Sequence, residues 1–128
     1  MFIKTLTASA FSVLALAASA LANEPFTPEA FAEAQAANSP ILVEIAADWC
    51  PTCRRQAEVI STLQDAGEID GLVILRVDYD DQRDIARQFR ATRQSTLITF
   101  RGETETARAV GITSQNDIAA LIATAYAE

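Results

Sequence analysis

The sequence predicts an α/β domain whose mixed central sheet carries helices on both faces. Short apolar runs with strand character alternate with helical periodicity through most of the chain, a pattern that builds parallel strands joined by crossover helices. A tight turn then joins two further strands near the carboxyl end and adds an antiparallel pair. Half of the 128 residues are hydrophobic, with only four Gly and four Pro, which suits one packed domain.

The opening segment reads as an address. Lys4 supplies a positive start, Leu6 to Ala17 is an apolar run short for a bilayer, and Ala18-Ser19-Ala20 and Ala20-Leu21-Ala22 fit the small-x-small pattern of a cleavage site. Residues 1–22 are therefore expected to be an export signal cleaved near Ala20 or Ala22, with residues 23–128 forming the domain. An uncleaved membrane anchor is the alternative. Export places the domain in an oxidising space, the periplasm for a Gram-negative source.

The elements follow in order. Thr27-Pro28 reads as an N-cap with proline in the first turn, opening a helix over Glu29 to Ala37 that Asn38-Ser39-Pro40 stops. Ile41 to Ala46 is a buried strand with one polar member, Glu44. From Pro51 to about Ala66 a helix carries Ala57, Ile60 and Leu63 on its apolar face, and Gly67 ends it. Leu72 to Val77 is a second buried strand, and Asp84 to Phe89 a helix with Ile85, Ala86 and Phe89 turned inward. Thr96 to Phe100 is a third strand, turned by Arg101-Gly102-Glu103 into a weaker fourth near Thr106 to Val110. Ser114 caps a last helix bearing Ile118, Leu121 and Ile122.

Composition excludes several chemistries. There is no histidine, which removes Cys-His and Ser-His-Asp catalysis and imidazole-bound metal. Two cysteines alone do not complete a structural zinc shell. Ten Lys+Arg against 17 Asp+Glu give a formal charge of −7, which argues against a nucleic-acid partner.

The informative string is Trp49-Cys50-Pro51-Thr52-Cys53, at the carboxyl end of the first strand, where open α/β sheets present ligand-facing residues. Cysteines three apart on a first helical turn come within bonding distance, and so small a ring restricts the unfolded chain little. Such a bond is a poor staple, which shifts the reading towards redox chemistry. A thiolate at a helix N-terminus is stabilised by unpaired N–H groups and the positive dipole end, and Cys50 is placed for that role. Pro51 suits the first turn and removes one donor, while Cys53, a turn deeper, is expected to be shielded.

With these residues the sequence resembles the thioredoxin superfamily over nearly all of residues 23–128. Ala47-Asp48-Trp49-Cys50-Pro51-Thr52-Cys53 looks like its active-site segment, and the element order is similar to its fold with the first strand short or absent. The Trp-Cys-Pro-Thr-Cys string is also similar to periplasmic reductases of cytochrome c maturation, which usually carry an insertion that this chain lacks. Small exported members with a Gln-Ser-Thr-Leu string, here Gln94-Ser95-Thr96-Leu97, are similar overall. The resemblance implies that Cys50 attacks and Cys53 resolves. It also makes Glu44 the buried acid that exchanges protons with the resolving cysteine, with Arg76 as its basic neighbour. A surface carboxylate is the alternative for Glu44. Trp49 is read as flanking the sulfur site, or else as a core aromatic. Ser95 stands where the family places a cis-proline before the Thr that opens the third strand, here Thr96. A cis bond before a non-proline is costly, so the Gln94–Ser95 peptide is expected to be trans.

Weaker signals surround the motif. Asp78, Asp80, Asp81 and Asp84 read as a solvated helix start, with calcium binding as the lesser alternative. Arg54, Arg55, Arg87, Arg90 and Arg93 stabilise a thiolate or receive an acidic partner, or solvate helix surfaces. The function expected is a periplasmic thiol–disulfide oxidoreductase that reduces disulfides in client proteins and draws electrons from a membrane thiol donor. It is expected to be monomeric and to use neither cofactor nor metal, although thiolate-bound Fe–S is conceivable with Ser95 in the proline position. A binding module with weak turnover, a disulfide-forming oxidant and a purely structural disulfide are the competing readings.

Overall fold

A computed structural model describes residues 23–128, and the expected export signal lies outside the described residues. The element order is β1 (Glu24–Pro25), α1 (Pro28–Ala36), β2 (Pro40–Ala46), α2 (Pro51–Asp65), β3 (Val73–Asp78), α3 (Arg83–Gln88), β4 (Thr96–Arg101), β5 (Thr104–Val110) and α4 (Gln115–Ala123), with one 3₁₀ turn over Thr124–Tyr126. The local signals act as expected. Thr27 accepts the N–H of Ala30 and Ser114 that of Asp117 as N-caps, and Gly67 follows α2 at φ +70°.

The five strands run β1-β3-β2-β4-β5, so β2, which leads into the cysteine motif, is central. It pairs parallel with β3 and antiparallel with β4. The first strand is short, as one of the two expectations had it: two residues that pair with Leu75 and Arg76 of β3.

Alternation along β2 divides the core into two layers. Leu42 faces α2 and α4 together with Ile74 and Leu97, in one buried cluster with Val59, Ile60, Leu63, Ile118 and Ile122. Ile41, Val43 and Ile45 face the other way with Leu75, Val77 and Ile98. That layer is closed by Phe26, Phe31, Phe89 and Phe100, whose ring centroids lie 5.2 to 6.0 Å apart in mostly edge-on contacts. Burying each such side chain stabilises the fold by about 1.5–3 kcal/mol.

Three details differ from the sequence reading. The buried face of α2 runs Cys53, Gln56, Val59, Ile60, Leu63, with Ala57 only half-buried at its margin. On α3 only Ala86 is fully buried; Ile85 and Phe89 are half-buried. An extra residue in β5, Thr106, bulges between the pairs Thr99–Ala107 and Phe100–Glu105. Its hydroxyl is taken up by Thr99 at 2.9 Å and Thr124 at 2.8 Å, which ties the sheet to the carboxyl-terminal turn.

Candidate active site

The chain leaves β2 at Ala46, turns over Ala47 to Trp49 and enters α2 at Cys50. Cys50 is the N-cap, in extended conformation, and its Sγ accepts the backbone N–H of Cys53 at 3.1 Å. Pro51 occupies the first helical position, where a missing N–H costs nothing. The two cysteines are joined in a disulfide with their Cα atoms 5.3 Å apart. A helix N-terminus thus aims an N–H group at the sulfur, the arrangement that stabilises a thiolate when the bond opens.

Shielding does not fall on Cys53 alone. Cys50 is 2% and Cys53 4% exposed, and both belong to a small buried cluster with Ala46 and Ala47 against which Tyr79 packs. Tyr79, which the sequence reading passed over, is fixed by its hydroxyl donating to the Thr92 carbonyl at 3.1 Å and by Arg83 lying 5.2 Å from its ring centroid. Its only signal in sequence was an aromatic residue directly after the second strand.

Trp49 is 56% exposed, which removes the core reading, and its indole N–H donates to Asp80 at 2.7 Å. Asp80 is in turn held by its backbone N–H on the Asp78 carboxylate, which caps Asp81 as well. Most of the arginines near the motif are engaged locally. Arg54 donates to the Asp48 carbonyl, Arg55 pairs with Glu58 and Arg87 with Asp84. Arg90 takes a positive φ at the end of α3, and the Arg93 carbonyl accepts the Thr96 hydroxyl at 2.7 Å. Thr52 is half-buried on the first turn of α2, while Pro51 is exposed. Among the described residues, no three His, Cys, Asp or Glu side chains are grouped to hold a metal.

Glu44 is buried in the middle of the central strand, not at an edge. It stands beside Arg76 of β3 and opposite Leu97 of β4, on the sheet face that α2 covers. Burial pushes its carboxyl up to about 7, and the Arg76 charge offsets only part of that. The Arg76 guanidinium makes its 3.0 Å ion pair with the exposed Asp48.

Ser95 precedes β4 at the same sheet end as the disulfide, since Thr96 pairs with Ile45 just before Ala46. No peptide bond among the described residues is cis, so Gln94–Ser95 is trans, and Ser95 is buried with φ at +60°. This is left-handed backbone, uncommon for serine. The Ser95 hydroxyl turns back onto the Gln94 carbonyl at 2.6 Å. The Ser95 carbonyl accepts the Gly111 N–H at 2.9 Å and the side-chain amide of Gln56 at 3.1 Å. Gln56 went unnoticed in sequence, although its place between Cys53 and Ile60 puts it on the inner face of α2.

Comparison with known proteins agrees with this geometry. The family model described as Thioredoxin matches residues 22–124. Thioredoxin of Chlamydia trachomatis is 32% identical over 86 residues, 67% of this chain and 82% of that one. The bifunctional thioredoxin reductase/thioredoxin of Mycobacterium leprae is 31% identical over 81 residues, 63% of this chain, and the match spans only 18% of that longer protein. The crystal structure of Trxlp from Edwardsiella tarda superposes with a TM-score of 0.73 at 35% identity, covering 79% of this chain and 98% of that one. A Halobacterium salinarum thioredoxin mutant shares the fold, with a TM-score of 0.68 at 21% identity over 83% of this chain and 90% of that one. With its mixed five-stranded sheet and its Cys50–Cys53 disulfide at the start of α2, the chain belongs to the thioredoxin family as a thiol–disulfide oxidoreductase.

Proposed function

We propose that this chain is exported, loses residues 1–22, and reduces disulfides of client proteins in the periplasm. The observation that supports the reducing direction is the motif itself, in which no histidine stands between Cys50 and Cys53 to stabilise the reduced thiolate as in strong oxidants. Glu44, a buried carboxyl with its pKa pushed up to about 7 on the sheet face beneath the helix that bears Cys53, serves the proton exchange. Near neutrality such a group is present in both forms, so it accepts a proton as readily as it returns one.

In the reduced protein the Cys50 thiolate attacks one sulfur of a client disulfide, forming a mixed disulfide and releasing the other client sulfur as a thiolate. The Cys53 thiol passes its proton to the Glu44 carboxylate and attacks Cys50 Sγ. The Cys50–Cys53 disulfide forms, the client leaves as a dithiol after protonation, and two electrons have moved to it. A thiol donor at the membrane returns them. Trp49 and Pro51, exposed beside the sulfurs, flank the docking surface together with Thr52, Ser95 and Thr96. The domain acts as a monomer.

Ser95 favours one other reading. A trans, left-handed residue where the family resemblance places a cis-proline suits a module that holds its partners and turns over slowly. Catalysed reduction of insulin by dithiothreitol separates the two: turnover lost in Cys50→Ser and Cys53→Ser supports the reductase, and a wild type with no turnover supports the module. Recovery of a chain beginning near Asn23 in the periplasmic fraction tests export.

A further inference from the structure

The inner face of α2 is apolar from Val59 to Leu63, yet Gln56, one turn beyond Cys53, is only 2% exposed. Burying an amide is unfavourable unless its hydrogen bonds are made. Here the side-chain amide donates both of its hydrogens to backbone carbonyls of two distant loops, to Ser95 at 3.1 Å and to Ile112 at 2.9 Å. Ser95 directly precedes Thr96, which pairs with Ile45 at the sheet end that leads into the cysteine motif, and Ile112 follows the exposed Val110 and Gly111.

The residue so held is strained. A serine at φ +60° gives up about 1–2 kcal/mol relative to the right-handed regions, and such a conformation persists only where its surroundings over-determine it. Three bonds do that here: the Ser95 hydroxyl on Gln94, the Gly111 N–H, and Gln56. Two of the three are local to the loops. Gln56 alone ties them to the helix that carries the cysteines.

We propose that Gln56 is a positioning residue, whose amide holds the left-handed Ser95 segment at a fixed height beside the disulfide, so that residues 92–95 form a ledge for the client chain. The ledge rests on the reading of client polypeptides as substrates. A client that must lie along it responds to its position, whereas a small disulfide that touches only sulfur does not. Misplacing a docking element by about 1 Å is enough to cost large factors in rate.

The test compares exchange with a disulfide-bearing polypeptide, insulin, and with glutathione, each measured in the direction that runs. In Gln56→Leu the second-order rate constant with insulin is expected to fall roughly tenfold, with glutathione changed less than about twofold and the reduction potential unmoved. Adding Ser95→Gly, which adopts positive φ without strain, restores most of the loss. Equal falls with both partners, no fall with insulin, or no rescue by Ser95→Gly overturns the proposal. Should Gln56→Leu not fold, Gln56→Asn, which keeps the amide but withdraws it by a methylene, takes its place with the same expected outcomes. A wild type that exchanges with glutathione but not insulin overturns the client reading and the ledge with it. One that only oxidises insulin thiols overturns the reducing direction and leaves Gln56 judged by its own ratio.

Discussion

Glu44 and Arg76 stand side by side in the parallel β2–β3 ladder, yet the Arg76 guanidinium pairs with Asp48 at the rim of the site. The buried carboxyl is left with the partial attraction of a neighbouring charge and the full disadvantage of burial, and its pKa rises from 4.5 to about 7. Had the guanidinium closed on Glu44, the group would stay ionised and take no part in proton exchange near neutrality.

Stability follows from the sign of that shift. A folded-state value above the unfolded one means that the folded protein holds this proton more tightly, so its contribution is complete below about pH 4.5 and is lost as pH rises through about 7. Glu44→Gln removes the ionisation. Urea unfolding of the oxidised protein is expected to show the variant up to about 3 kcal/mol more stable than wild type at pH 8, with the two converging near pH 4. A difference constant across this range would show that Glu44 does not titrate as described.

The same substitution separates stability from turnover. Resolution of a mixed disulfide by Cys53, followed by single-turnover release of client thiol, is expected to inflect near pH 7 in wild type. In Glu44→Gln the inflection disappears and the rate at pH 7 falls about a hundredfold or more, the usual contribution of a positioned proton acceptor. An unchanged profile would assign the proton transfer to water.

Ser95 answers differently to two small substitutions. Its φ of +60° lies far from the value near −65° that a proline ring imposes, so Ser95→Pro forces the loop to rearrange or its peptide bond to isomerise. A loss of about 3 kcal/mol or more is expected. Ser95→Gly relieves strain but loses the hydroxyl bond to Gln94, and its stability is expected to stay within about 1 kcal/mol of wild type. Denaturation midpoints of both variants check this, and a fully stable Ser95→Pro would mean that the loop accepts the family's usual backbone.

Much of this molecule is legible in its sequence. The runs from Ile41 and Leu72, the cap at Ser114 and the glycine stop at Gly67 each carry a local physical cause, and each element forms within a residue or two of its expected bounds. The cysteine pair is equally plain, because spacing, proline and helix start agree. What stays hidden depends on partners far along the chain. Nothing local says that Gln56 reaches carbonyls at positions 95 and 112, or that Tyr79 packs against the cluster holding the cysteines. The two-residue β1 draws its existence from the edge of β3, not from propensity. The near-equal burial of Cys50 and Cys53, in a cluster with Ala46 and Ala47, is something helix position alone does not reveal.

The reducing direction is tested most directly by the reduction potential of the Cys50–Cys53 couple, read from alkylated fractions at equilibrium with dithiothreitol and glutathione buffers. A buried acid beneath the resolving cysteine and a motif without histidine predict a value near that of thioredoxin, about −270 mV. A value near −120 mV, where the reduced form is stabilised strongly enough to drive disulfide formation, would contradict the account and make the protein an oxidant.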